Sequence, residues 1–138
     1  MEGDFVWKIQ FVNDSVGFGS VQSFFGTEKR ILKTLDGGES WNSLTVVEND
    51  TSDFTFQGIG FVNDTLGWVG GWGNGLFQTI DGGLNWELIP IGSNFNRFFP
   101  ISPNLVYASG NRLYRYIDTL NLNTPDTTNS ILSSRFQN

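Results

Sequence analysis

Apolar and polar residues alternate over residues 5–11: Phe5, Trp7, Ile9 and Phe11 face one way, and Val6, Lys8 and Gln10 the other. A period of two sustained over this length predicts a strand. Val12-Asn13-Asp14-Ser15 reads as a turn. Residues 16–21, rich in Gly, predict a second strand, and residues 22–30 a connection. Residues 31–34 and 41–47 predict a third and a fourth strand. Four strands met in this order form a meander, the unit of a propeller blade.

The pattern then repeats. Residues 58–68 copy residues 8–18 at an offset of 50. After the second strand the offset falls to 45, because the connection shrinks to Trp72-Gly73-Asn74-Gly75. A length change confined to a loop is what a structural repeat allows. A third, degraded copy follows: residues 97–110 align with 58–71 at an offset of 39, and residues 113–118 stand where 76–81 stood. The spacing fits the roughly 40–45 residues of a propeller blade. The division predicted is blade 1 at 5–47, blade 2 at 54–91, a partial blade 3 at 94–118, and a tail or linker at 119–138 with a helical turn at 131–136. The fold class is all-β, a partial propeller of two and a half to three four-stranded antiparallel blades.

One turn occurs twice. Thr34-Leu35-Asp36-Gly37-Gly38-Glu39-Ser40-Trp41 and Thr79-Ile80-Asp81-Gly82-Gly83-Leu84-Asn85-Trp86 both read T-x-D-G-G-x-x-W. An Asp carboxylate can accept from backbone N–H groups just beyond it and hold a turn shut. The Gly pair permits positive φ. The Trp opens the return strand and can lay its ring over the turn. These residues are predicted to be structural, not catalytic.

The two copies match S/T-x-D-x-G-x-x-W at every fixed position and so resemble the Asp-box of bacterial sialidases, sortilin and photosystem II assembly-factor-like propellers. Gly37 and Gly82, at the free position, look most like the Ycf48-like group. The resemblance covers about residues 5–118. It implies a propeller and a non-enzymatic binding or assembly role, with a protein or glycan partner. Well-known members are described as using an Arg-rich surface. Here five Arg are scattered, and the acidic, Asn- and Thr-rich chain is closer to the exported relatives of non-photosynthetic bacteria.

Composition narrows the chemistry. The 138 residues suffice for one modest core. Cys and His are absent, which removes thiolate chemistry, the commonest general base and the commonest metal ligand. No cofactor or metal is expected. The net charge of −6 argues against nucleic acid. No apolar run reaches the length of a membrane span. The segment Met1-Glu2-Gly3-Asp4 lacks the features of a signal peptide, so an export signal is expected outside this chain.

In a meander the first and third turns share one end of the blade, so function is sought at the other. That end presents Phe24, Phe25 and Arg30 from blade 1, Trp72 and Asn74 from blade 2, and Arg112 from blade 3. Phe24-Phe25 could equally pack its own loop, and Trp72 could fill a seam between blades. Glu48, Asp50 and Asp53 lie in the first inter-blade link, where a solvated acidic loop competes with an ion site. The alternative to a binding module is a fragment of a sialidase-like glycoside hydrolase. Such a site needs converging Arg, a Tyr–Glu pair and an acid, and two paired carboxyls are not found outside turns. A sortilin-like receptor would travel with Cys-rich modules. Three blades leave both end faces uncovered, so the chain is read as a piece of a larger propeller or, if complete, as a homo-oligomer.

Overall fold

The computed structural model describes residues 4–23, 28–50, 52, 54–118 and 135–137. Within these residues the strands form three four-stranded antiparallel sheets. The first runs in chain order β1 (Asp4–Phe11), β2 (Gly17–Ser23), β3 (Lys29–Thr34) and β4 (Asn42–Val47). The second repeats it with β5 (Thr55–Phe61), β6 (Gly67–Trp72), β7 (Asn74–Thr79) and β8 (Glu87–Ser93). The third contains β9 (Arg97–Ser102), β10 (Leu105–Ser109), β11 (Leu113–Ile117) and β12 (Arg135–Gln137). The leading strands β1, β5 and β9 adjoin across the seams. They stand innermost and the last strands outermost, so the architecture is a partial β-propeller. No helix of the described residues is long and apolar enough to cross a membrane.

The core lies in two seams between sheets. In the first, Phe18 and Ile31 meet Phe56, Ile59, Phe61 and Val69 of the next sheet. In the second, Trp68 and Leu76 meet Phe98, Ala108, Tyr114 and Tyr116. Phe61 fixes the first seam. Its ring lies on Gly67, where an added Cβ would come within 2.3 Å of ring carbon. Its other face stacks on Phe18 at 3.5 Å between centroids. Glycine is needed at 67 because the ring occupies the space a side chain would take. Polar groups cross the same seam. The Gln10 amide donates to the Phe61 carbonyl at 2.9 Å and accepts from the Phe61 N–H at 2.7 Å. It thereby joins the inner strands β1 and β5.

Two sequence expectations are corrected. The strict alternation of residues 5–11 fails at a bulge between Val6 and Lys8. The extra residue changes the parity, so Val6, not Trp7, lines a hollow with Ile9. The Trp7 indole instead donates to the Gln22 side chain. The same bulge recurs between Phe56 and Gly58, and puts both Phe56 and Ile59 in the seam.

Residues 135–137, expected in a tail with a helical turn, form β12, paired antiparallel with β11. The physical reason is Phe136. It is 3% exposed and covers the Trp68 ring edge-on at 5.4 Å. In this sheet Pro100 and Val106 stand where Phe61 and Gly67 stand in the second, so Phe136 and Tyr116 supply the missing ring contact. Most of 119–138 lies outside the described residues.

The two D-G-G turns close the outer hairpins β3–β4 and β7–β8. Thr34 and Thr79 are buried, and each hydroxyl donates to its Asp carboxylate, at 2.7 and 2.9 Å. The same oxygens accept from the N–H of Gly38 and Gly83, both at 2.9 Å. Asp36 also accepts from the Ser40 N–H and hydroxyl, and Asp81 from the Asn85 N–H and side-chain amide. Gly37, Gly38, Gly82 and Gly83 all have positive φ. Trp41 lies beside Gly38, and Trp86 donates its indole N–H to the Gly83 carbonyl at 3.0 Å. Each turn is tied to the turn after its innermost strand: Gly37 N–H donates to the Ser15 carbonyl and Gly82 N–H to the Thr65 carbonyl. The first and third turns of each blade therefore share one end.

These donors hold both carboxyls at about 2, below the ordinary 3.8. For Asp36 the largest cause is the Ser40 side chain, and for Asp81 the Asn85 side chain. A depressed carboxyl stabilises the fold above its unfolded value and loses that contribution as pH falls through the folded one. Asp36→Ala and Asp81→Ala are expected to melt below wild type at pH 7. The gap should narrow between about pH 4 and pH 2, as thermal melts at several pH values would show. Phe61→Ala should lower stability by about 3–5 kcal/mol in a denaturant titration, because the ring is fully buried at the centre of the first seam and its loss leaves a cavity between Gly67 and Phe18.

Candidate binding face

Away from the D-G-G turns, three loops are joined by backbone. The β6–β7 link bends at Gly73, whose φ is 127°. A Cβ there would strike the Phe54 ring at 2.1 Å. Phe54 is buried against Phe56 and Phe77 and forms a floor under the link. The inter-blade link bends at Asn94, with φ 58°, and its N–H donates to the Gly73 carbonyl at 3.2 Å. In the β10–β11 turn, Asn111 N–H donates to the Ser93 carbonyl at 2.9 Å. The Asn111 side-chain oxygen accepts from Ser93 N–H and from the Tyr114 hydroxyl. The three loops form one strip across blades 2 and 3.

This strip carries Trp72, 62% exposed, with Asn74, Asn94, Asn111 and Arg112 also exposed. Trp72 does not fill a seam. The strip carries an aromatic surface, amide groups and a guanidinium, a combination that suits an extended peptide or a sugar.

Arg30 does not join this group. Its guanidinium pairs with the Asp4 carboxylate of β1, reaching across β2. Its neighbour Lys29 is buried and donates to the Ser52 carbonyl at 3.3 Å. Asp50 is used locally, accepting from the Ser52 N–H at 2.8 Å. Phe24, Phe25 and Asp53 lie outside the described residues. The D-G-G residues, Thr34 to Trp41 and Thr79 to Trp86, are engaged within their own hairpins at the other end.

Sequence reasoning missed two features. Asn94 gave a local signal, a polar residue following Gly92-Ser93, but its left-handed backbone was not foreseen. The second is a cationic pair on the inner strands. Lys8 donates to the Gln57 carbonyl at 3.5 Å, and its pKa is lowered by burial and then by the Arg97 charge. Arg97 lies over the Phe99 ring. Neither cation stands in a charge run, so only the adjacency of inner strands brings them together.

Comparison with known proteins agrees with this architecture. The family model described as photosynthesis system II assembly factor YCF48 matches residues 2–120. The chain is 36% identical over 87 residues to the photosystem II stability/assembly factor HCF136, chloroplastic, of Arabidopsis thaliana, covering 62% of this chain and 21% of that protein. The Oryza sativa subsp. japonica counterpart is 31% identical over 101 residues, covering 72% and 22%. The photosystem II assembly lipoprotein Ycf48 of a Synechococcus strain is 29% identical over 102 residues, covering 74% and 28%. A solved structure described as YCF48 bound to D1 peptide superposes with a TM-score of 0.65 at 24% identity, covering 82% of this chain and 36% of that one. The chain thus spans between about a fifth and a third of the relatives it matches. With its repeated blades and a match over most of its length, the chain belongs to the photosystem II assembly factor YCF48 family.

Proposed function

We propose that this chain is part of a non-enzymatic scaffold propeller that holds an extended polypeptide segment on the strip formed by Trp72, Asn94, Asn111 and Arg112. The observation that carries this reading is Trp72, displayed outward on loops whose backbones are bonded to one another. Bonded loops present a fixed surface, so binding need not order them first. Trp and Arg are among the residues most enriched in protein-binding hot spots. Family membership supports the reading, as does the relative whose structure is described with a D1 peptide.

The two D-G-G turns serve as Asp-boxes, and their carboxylates are spent on their own hairpins. This supports a structural role for them and no catalytic one. The compartment is proposed to be an exported one, which the lipoprotein and chloroplast names of the relatives support.

A fluorescently labelled D1 peptide, with a panel of unrelated extended peptides, tests the reading by anisotropy titration. Trp72→Ala should weaken binding roughly tenfold or more, and Arg112→Ala less, with unchanged melting temperatures. Equal affinity of wild type and both variants for every peptide that binds would overturn it.

A further inference from the structure

A second tryptophan is displayed on the first blade. Phe18, Ser20 and Gln22 alternate along β2 and so share one face of the sheet. That face is turned to the second sheet: Phe18 stacks on Phe61, and the Ser20 hydroxyl donates to the Gln57 carbonyl at 3.0 Å. Trp7 is the extra residue of the β1 bulge, and its indole N–H is held by the Gln22 side chain. The ring is thereby drawn to the side of a seam that both of its sheets complete, away from the open face lined by Val6 and Ile9. It is 52% exposed there and belongs to neither seam core.

The repeat puts Trp7 at the same end as the strip. Strands β2, β6 and β10 each run away from the first turn of their blade and finish at this end. Offsets of 50 and 39 align Gln22 with Trp72 and Asn111 at the finish of these strands. The same offsets align Trp7 with Gln57 and Asn96. The registers agree, since Gln22 pairs with Phe5 and Trp72 with Thr55, the residue 50 positions on. Blades 1 and 2 therefore each carry one Trp and one Gln at these two positions, with the places exchanged. A bulge does not call for Trp, because Gln57 fills the same position in β5. Each blade nevertheless displays one indole, from β1 in the first and from β6 in the second.

The two rings differ in what they can take. The Trp7 N–H is already satisfied by Gln22, so a ligand that covers this ring orphans no donor and need supply only apolar surface. The Trp72 N–H has no acceptor among the described residues, so its ligand group must be apolar with a carbonyl or hydroxyl alongside. Blade 3 offers amides instead. The Asn96 side-chain oxygen accepts from the Ser109 hydroxyl at 3.4 Å, and that of Asn111 from Ser93 and Tyr114. The two NH₂ groups are left as donors.

On the reading that the strip holds a polypeptide, we propose that Trp7 is its second aromatic anchor and continues it onto blade 1. The bound segment then carries two large apolar side chains, one against Trp7 and one against Trp72, and a polar stretch with carbonyls over Asn96 and Asn111.

Anisotropy titrations of Trp7→Ala, Trp7→Phe and Trp72→Ala with the labelled D1 peptide and the unrelated extended peptides test this. For a peptide that Trp72→Ala weakens, Trp7→Ala should weaken binding roughly tenfold and Trp7→Phe by about threefold at most. Shortening that peptide from one end should abolish the effect of Trp7→Ala and keep that of Trp72→Ala. Shortening it from the other end should do the reverse. Wild-type affinity of Trp7→Ala for every peptide that Trp72→Ala weakens would overturn the inference and leave the strip standing. Equal loss for full-length and shortened peptides, with Trp7→Phe no better than Trp7→Ala, would show that Trp7 only props β1, and would overturn it as well. Should Trp72→Ala also bind every peptide as wild type does, or should no peptide bind, the strip itself fails and Trp7 with it.

Discussion

A twisted sheet with side chains on both faces must bury both, and here that is achieved by rings laid flat on glycine. The Phe61 ring fills the space above Gly67 and presents its other side to Phe18. The contact sets the distance between sheets, and everything at the seam follows from that distance. Ile31, Ile59 and Val69 pack in the same buried cluster around that ring. The Gln10 amide meets both backbone groups of Phe61 only because β1 and β5 come this close. Apolar burial supplies most of the stabilisation, and the amide fixes which register of the two inner strands is adopted.

The outer edge is governed by a different economy of groups. The D-G-G turns use buried threonine hydroxyls and a carboxylate to satisfy donors that a tight hairpin would otherwise orphan. Their tie to the β1–β2 and β5–β6 turns fastens one end of the first and second blades. The other end is stitched instead by the inter-blade link, through Asn94 and Asn111. That difference separates a closed structural end from one where Trp72, Asn74 and Arg112 remain available.

Much of this was legible in the sequence because repeats carry their own control. Residues 8–18 and 58–68 read alike, and the D-G-G turn states its chemistry in eight residues. Bulges were not legible. The extra residue at Val6/Lys8 leaves the apolar count intact and changes only its parity, so Trp7 was placed with Ile9. β12 was hidden for another reason. A strand with one apolar residue, Phe136, has no period to detect, and its place is set by the uncovered Trp68. At the candidate face Trp72, Asn74 and Arg112 were named from the sequence, and all three are exposed, the first two at strand ends. Arg30 was not separable from them, since its tie to Asp4 joins strands that are not sequence neighbours.

The late arrival of β12 bears on how the molecule is made. A ribosome delivers residues in order, so the first and second sheets can dock while the remainder is still being synthesised. Trp68 then waits in water until the strand bearing Phe136 emerges. Synthesis at roughly 5–20 residues per second is far slower than hairpin formation, so the wait lasts seconds. For that period the nascent protein shows a broad aromatic surface, and a chaperone that protects the half-built propeller would find its grip there.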